Sequence, residues 1–116
     1  ILEEQIFQHD LTKRLHMDQT YDMSICFDVL EHIPVEKVDV VLKNIVKHTE
    51  KTALIFIPNA DRQPGLDESH INLQTKTWWT QKLLEYGDLV SSKPYHDHQV
   101  RWFRDSDCLF ILNIRK

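Results

Sequence analysis

Glycine is almost missing from this chain. Only Gly65 and Gly87 occur in 116 residues. A nucleotide-binding α/β domain opens with a glycine-rich turn after its first strand, and no such turn exists here. Cysteine is equally sparse. Cys26 and Cys108 form no CxxC pair, which excludes that metal or redox motif. Both lie in apolar, strand-like runs and read as buried free thiols in a reducing compartment rather than as a disulfide. No apolar run approaches the ~20 residues of a membrane helix, and nothing like a signal peptide opens the chain. A cytoplasmic protein without a membrane partner is the expectation. Excess positive charge is lacking too. The net charge is −4, so general attraction to nucleic acid or anionic membrane is not expected.

What is present is globular. Hydrophobic residues make up 41% and charged residues 28%, outside the range of disordered chains. The length suits a single domain spanning 1–116, or part of one. The start at Ile1 and the missing glycine-rich turn both point to part of a domain.

Hydrophobic periodicity divides the chain into alternating elements. Gln5–Gln8 reads as a short strand with His9 and Asp10 at its end, and residues 11–20 as a loop. Tyr21–Phe27 is an apolar strand. Pro34 suits the start of a helix in which Val35, Val38, Val41, Leu42 and Ile45 recur at spacings of three and four, through Lys47. Thr52–Ile57 is a strand rich in branched and aromatic residues. The polar loop Ala60–Gln74 is long enough to suggest function. Thr75 or Thr77 caps a second helix with Trp78, Trp79, Leu83 and Leu84 as its apolar stripe, and Gly87 is placed to end it. One tryptophan is expected to face the core and the other to be partly exposed. Leu89–Tyr95 and Cys108–Ile114 read as a closing antiparallel pair around a polar turn. Such alternation argues an α/β fold with a mainly parallel sheet and helices on its faces.

The segment Tyr21–Pro34, YDMSICFDVLEHIP, carries the chemistry. Open α/β sheets bind ligands at the C-terminal ends of their strands, where Asp28, Glu31 and His32 fall. On a first helical turn, position 28 shares a face with 31 or 32. His96-Asp97-His98 is an H-x-H pattern that reads as a solvated turn. Arg101-Trp102-Phe103-Arg104 mixes cations and aromatics as single-strand binders do, but one such tetrad in an acidic chain does not argue for nucleic acid.

Four blocks give the chain a family likeness: HDL at 9–11, YDMSICFDVLEHIP, TALIFIPN, and SHINLQTKTWW followed by LLEYG. In this order the chain resembles the C-terminal part of a class I S-adenosylmethionine (SAM)-dependent methyltransferase, over nearly its whole length. The resemblance implies a partial Rossmann-like sheet, with strands equivalent to 3-4-5-7-6 of an order 3-2-1-4-5-7-6. It implies a carboxylate, Asp10, that accepts from the adenine amino group, and a backbone N–H from Leu11 to the ring. Phe27 and Asp28 would flank the methyl donor, and His32 and His70 would face the acceptor, an oxygen or nitrogen of a small molecule or sugar. Methyl transfer needs donor and acceptor aligned, with a base near the acceptor proton.

Some members of the family carry E-x-x-E-H at this turn and a histidine in the following loop, among them small-RNA 3′-terminal 2′-O-methyltransferases and ubiquinone-pathway O-methyltransferases. There the side chains hold a divalent ion. Asp28, Glu31, His32 and His70 would be the corresponding ligands, and a metal-assisted RNA ribose 2′-O-methyltransferase is a further reading. In other members the acid and histidine only shape the pocket or cap the helix. The family's first two strands and glycine-rich loop are not in this sequence. That leaves Tyr21–Phe27 as a bare edge, open to a second copy of the chain or to a partner. A non-catalytic, degenerate module binding through that edge is therefore the alternative from another functional class.

Overall fold

The computed structural model describes residues 6–58, 69–90 and 108–115. They form an α/β fold built on a four-stranded open sheet. The strands are β1 (Tyr21–Phe27), β2 (Thr49–Phe56), β3 (Gly87–Val90) and β4 (Leu109–Ile114), and the helices are α1 (Val38–Lys47) and α2 (Lys76–Leu84). The order across the sheet is β1-β2-β4-β3. β1 and β2 are parallel, whereas β4 runs antiparallel to both β2 and β3. The sheet is therefore mixed, not mainly parallel. The closing pair is antiparallel, as its short connection suggests.

Register decides which side chains are buried. Cys26 is paired with Ile55, Ile55 with Phe110, and Ala53 with Leu112, so these side chains share one face. That face receives Val38, Val41 and Leu42 of α1 and Trp79 and Leu83 of α2, and all five are fully buried. Both described helices thus cover the same face, not one each. On the opposite face Met23 and Ile25 are exposed, and Phe27 packs at 6.0 Å against Phe56.

The helices follow their patterns with shifted ends. A single 3-10 turn, Val35–Lys37, precedes α1, and Val35 is exposed rather than part of the stripe. β2 begins at Thr49, before the apolar run. Thr49 Oγ1 reaches Ser24 Oγ at 2.8 Å and the Ile45 carbonyl at 2.6 Å, which joins the helix end to both strands. Thr75 is the N-cap of α2, its Oγ1 accepting from Trp78 N–H at 3.1 Å. Trp79 is fully buried and Trp78 half-buried, whereas Leu84 points outward.

Gly87 does not end the helix. It opens β3, and any side chain there would run into the carbonyl oxygen of Asn113 on β4. The glycine is needed for close approach of two strands, not for a left-handed cap.

Two further expectations are corrected. Ile6–Gln8 forms no strand, and Ile6 and Phe7 are mostly exposed. Two apolar residues without a neighbouring strand cannot close a ladder, so the described sheet has no equivalent of strand 3 and β1 is an edge. Gln5, Pro94 and Tyr95, both H-x-H histidines and the Arg101–Arg104 tetrad lie outside the described residues. Neither Cys26 nor Cys108 is in a disulfide, and both are buried. Among the described residues no helix is long and apolar enough to cross a membrane.

Candidate metal and acceptor centre

The centre grows from the end of β1. After Phe27 the ladder continues for one hydrogen bond, Asp28 N–H to the Phe56 carbonyl at 3.0 Å. The chain then turns through Asp28, the sole non-glycine residue with positive φ (58°) among those described. Aspartate tolerates this left-handed conformation better than most residues. The turn leads directly into the 3-10 segment Leu30–His32, which buries both Leu30 and Glu31 completely.

Two hydrogen bonds fasten the far end of the long loop to this segment. Asn72 N–H donates to the Glu31 carbonyl at 3.0 Å, and His32 Nδ1 lies 2.8 Å from the Ser69 carbonyl. His70 is thereby carried in between them. Its Nε2 is 3.9 Å from Glu31 Oε2, and His32 Nε2 is 3.6 Å from the same oxygen. The two imidazoles meet edge-to-face with centroids 4.9 Å apart. One donor atom from each of Glu31, His32 and His70 lies within 4.8 Å of the other two.

A carbonyl oxygen can only accept, so His32 Nδ1 must carry the proton. In the neutral ring Nε2 is then a bare lone pair directed toward Glu31. This is how a protein orients a metal-binding histidine, through a backbone acceptor on the other ring nitrogen. Neither carboxylate oxygen of Glu31 has a hydrogen-bond partner among the described residues, although both are buried. Such orphaned acceptors are costly unless a proton or cation joins them. Burial raises the Glu31 carboxyl above its ordinary pKa, and the neighbouring Asp28 charge adds to this; the pull of its own backbone N–H and of the two histidines opposes it. Two ligands held at ~2.1 Å on a tetrahedral ion stand ~3.4 Å apart. The two separations from Glu31, 3.6 and 3.9 Å, are slightly longer than that, while the three donors together span up to 4.8 Å and must close further to share one ion. The buried orphan oxygens, the fixed tautomer and the two-nitrogen, one-oxygen donor set all fit a divalent ion.

Asp28 is not part of this set. It is exposed, close enough to influence the charge on Glu31 but outside the three converging donors. The four ligands expected from the sequence reduce to three. Cys26 is no nucleophile: burial, reinforced by the Glu31 charge, pushes its thiol up to about 12.

Asp10 and Leu11 lie elsewhere, on the segment leading to β1. Asp10 Oδ1 accepts from Thr12 N–H at 2.9 Å and Thr12 Oγ1 at 2.6 Å, bonds that hold its carboxyl below the usual range. One oxygen of the expected adenine ligand is therefore engaged in its own turn. Leu11 is half-buried against the core. No described hydrogen bond or ion pair joins either residue to Glu31, His32 or His70.

Sequence reasoning missed Asn44 and Asn72. Asn44 is buried on α1 and anchors the segment before β1: its Nδ2 donates to the Leu11 and Lys13 carbonyls, both at 2.9 Å, and its Oδ1 accepts from Leu15 N–H at 3.0 Å. Asn72 is buried beside Glu31, and its Nδ2 has no hydrogen-bond partner among the described residues. A polar residue among the apolar positions of α1 was the available signal for Asn44. Asn72 had none, because its loop carries no period.

Compared with protein-family models, curated proteins and solved structures, the chain matches none.

Proposed function

We propose that the chain is the acceptor-side part of a SAM-dependent methyltransferase. It transfers a methyl group to an oxygen or nitrogen of a small molecule or sugar, next to a divalent ion held by Glu31, His32 and His70. The observation that carries the reading is the convergence of these three donors at the C-terminal end of β1, around buried carboxylate oxygens without a hydrogen-bond partner among the described residues. The sheet supports it as well: β1-β2-β4-β3 has the order of the family's strands 4-5-7-6, closing in an antiparallel pair.

The residues' roles follow from their positions. Phe27 and Asp28 form the turn beside the methyl donor. Glu31 supplies the negative charge of the centre. His32 presents Nε2 because Ser69 occupies Nδ1. His70, mostly buried, closes the other side. Glu31, His32 and His70 would hold a divalent ion, which would supply Lewis-acid activation of an acceptor hydroxyl. Ligation would leave the remaining nitrogen of each neutral imidazole already protonated, so the acceptor's proton would pass to solvent.

The same donor set favours a second reading, ribose 2′-O-methylation at an RNA end, because vicinal hydroxyls chelate a divalent ion. Methyl transfer from labelled SAM, measured with the longest natural form of the protein, separates the readings: activity on RNA 3′ ends supports the ribose acceptor, and activity on small polyols or amines the other. In either case His70→Ala is expected to reduce turnover at least about a hundredfold. Full activity in that variant would contradict the proposal.

A further inference from the structure

A cleft of about 350 Å³ lies between the outer face of α1 and the segment that precedes β1, and none of Glu31, His32 and His70 borders it. Its walls are Arg14, Val40, Lys43, Asn44 and Lys47. Three of these are cations and none is an acid. Val40, Lys43 and Lys47 follow one another at spacings of three and four, so a single stripe of the helix makes the floor. Arg14 comes from the facing segment. Its place is fixed by the buried Asn44, whose side chain grips the backbone on both sides of it, at the Lys13 carbonyl and the Leu15 N–H. The Asn44 amide is engaged in those bonds, so the charge of the cleft belongs to the three cations.

The side chains of Arg14, Lys43 and Lys47 are exposed, and none has a hydrogen bond or ion pair among the described residues. Asp39, one turn before Lys43, is already occupied by Tyr86 and Lys82. The C-terminal end of a helix favours cations, which accounts for Lys47. It does not account for Arg14, which belongs to another segment. Three uncompensated cations thus gather around one cleft in a chain of net charge −4. A phosphate dianion matches them: it takes two parallel bonds from a guanidinium fork and accepts from lysine ammonium groups as point charges. The cleft is in the range of small-molecule sites, about 300–1,000 Å³, and is larger than a bare phosphate fills. Val40 and the aliphatic stems of the two lysines offer apolar surface for the remainder. We propose that this cleft binds a small phosphate monoester with an aromatic or aliphatic body, the phosphate held between Arg14, Lys43 and Lys47 and the body lying on Val40. The inference is independent of the methyltransferase reading.

The test is calorimetric titration of the folded chain with phenyl phosphate and, separately, with inorganic phosphate and with phenol, at low ionic strength and about pH 8, where the phosphate probes are mostly dianions. No divalent ion is added, so the Glu31 centre contributes no phosphate affinity. Phenyl phosphate is expected to bind saturably, one equivalent per chain, with a Kd below about 1 mM. Inorganic phosphate and phenol each lack one part of the contact and are expected to bind at least about fivefold more weakly. Arg14→Gln, Lys43→Gln and Lys47→Gln, all at exposed positions, are each expected to weaken phenyl phosphate binding at least about fivefold. Lys13→Gln removes an exposed cation outside the cleft and is expected to change it by less than about twofold. No saturable binding of phenyl phosphate, equal affinity for it and either other probe, or a loss in Lys13→Gln as large as in the three lining variants would each overturn the inference.

Discussion

His70 Nε2 stands 3.9 Å from Oε2 of Glu31, although the two residues come from opposite ends of a β-α-β unit and its following loop. The contact exists because that loop is tied back at both sides of His70, through Ser69 to the His32 ring and through Asn72 to the Glu31 backbone. Cutting one tie therefore loosens the centre without touching a donor. Asn72→Pro removes the N–H that Glu31 accepts. It is expected to weaken divalent-ion affinity about tenfold or more, measured by calorimetry, while the circular dichroism of the sheet persists.

Gly87→Ala places a methyl group against the Asn113 carbonyl and within 3.0 Å of Leu112 Cδ1. The obstacle is backbone in the middle of a strand pair, so it cannot swing aside. Destabilisation of at least about 2 kcal/mol is expected in urea unfolding. A change below a few tenths would show that β3 and β4 are further apart than described.

Asn44→Ala frees the segment before β1. It leaves the Leu15 N–H and the Leu11 carbonyl without their Asn44 partner, whereas the Lys13 carbonyl keeps His9 Nε2 at 3.0 Å. The expected cost is about 1–3 kcal/mol, and hydrogen exchange at the Leu15 amide should accelerate more than exchange in β2.

Asp39 links the two helices, accepting from Tyr86 Oη at 2.5 Å and from Lys82 Nζ at 3.3 Å. The Tyr86 hydrogen bond, aided by Lys82, holds the carboxyl below its ordinary value of 3.8, against the opposing effect of burial. A depressed folded-state pKa contributes stability that is present above the unfolded value and lost as pH falls through the folded one. Asp39 is about half exposed, so solvent screening keeps the charge contribution small. Tyr86→Phe should cost about 1 kcal/mol at neutral pH, and the gap from wild type should shrink below pH 3.8. A gap that stays constant into acid would mean the bond does not depend on the carboxylate.

Much of this arrangement was legible because it follows from periodicity. The stripe Val38, Val41, Leu42 and the run through Ile55 are buried where their spacing puts them. That one of Trp78 and Trp79 is buried, and that Thr75 or Thr77 caps α2, was legible; that they are Trp79 and Thr75 was not. Glu31 and His32 stood out as titratable groups at a strand end. What was not legible depends on tertiary contact. The Ile6-Phe7 pair has strand composition but no neighbour to pair with. Gly87 looked like a helix cap because the sequence does not show Asn113 beside it. Asp28 looked like a ligand by spacing, yet its left-handed turn and the 3-10 segment that follows replace the regular helical turn on which that spacing relies. The burial of both described helices on one face cannot be read from alternation alone.

The most direct test is titration of the folded chain with Co²⁺ near pH 7.5, followed by its visible absorption, in wild type, Glu31→Gln and His70→Ala. The structure predicts one equivalent bound by wild type, with the intense bands of a low-coordinate nitrogen–oxygen site, and at least about tenfold weaker binding in each variant. No saturable binding by wild type, or affinity unchanged in Glu31→Gln, would contradict the assignment of Glu31, His32 and His70 as a metal centre.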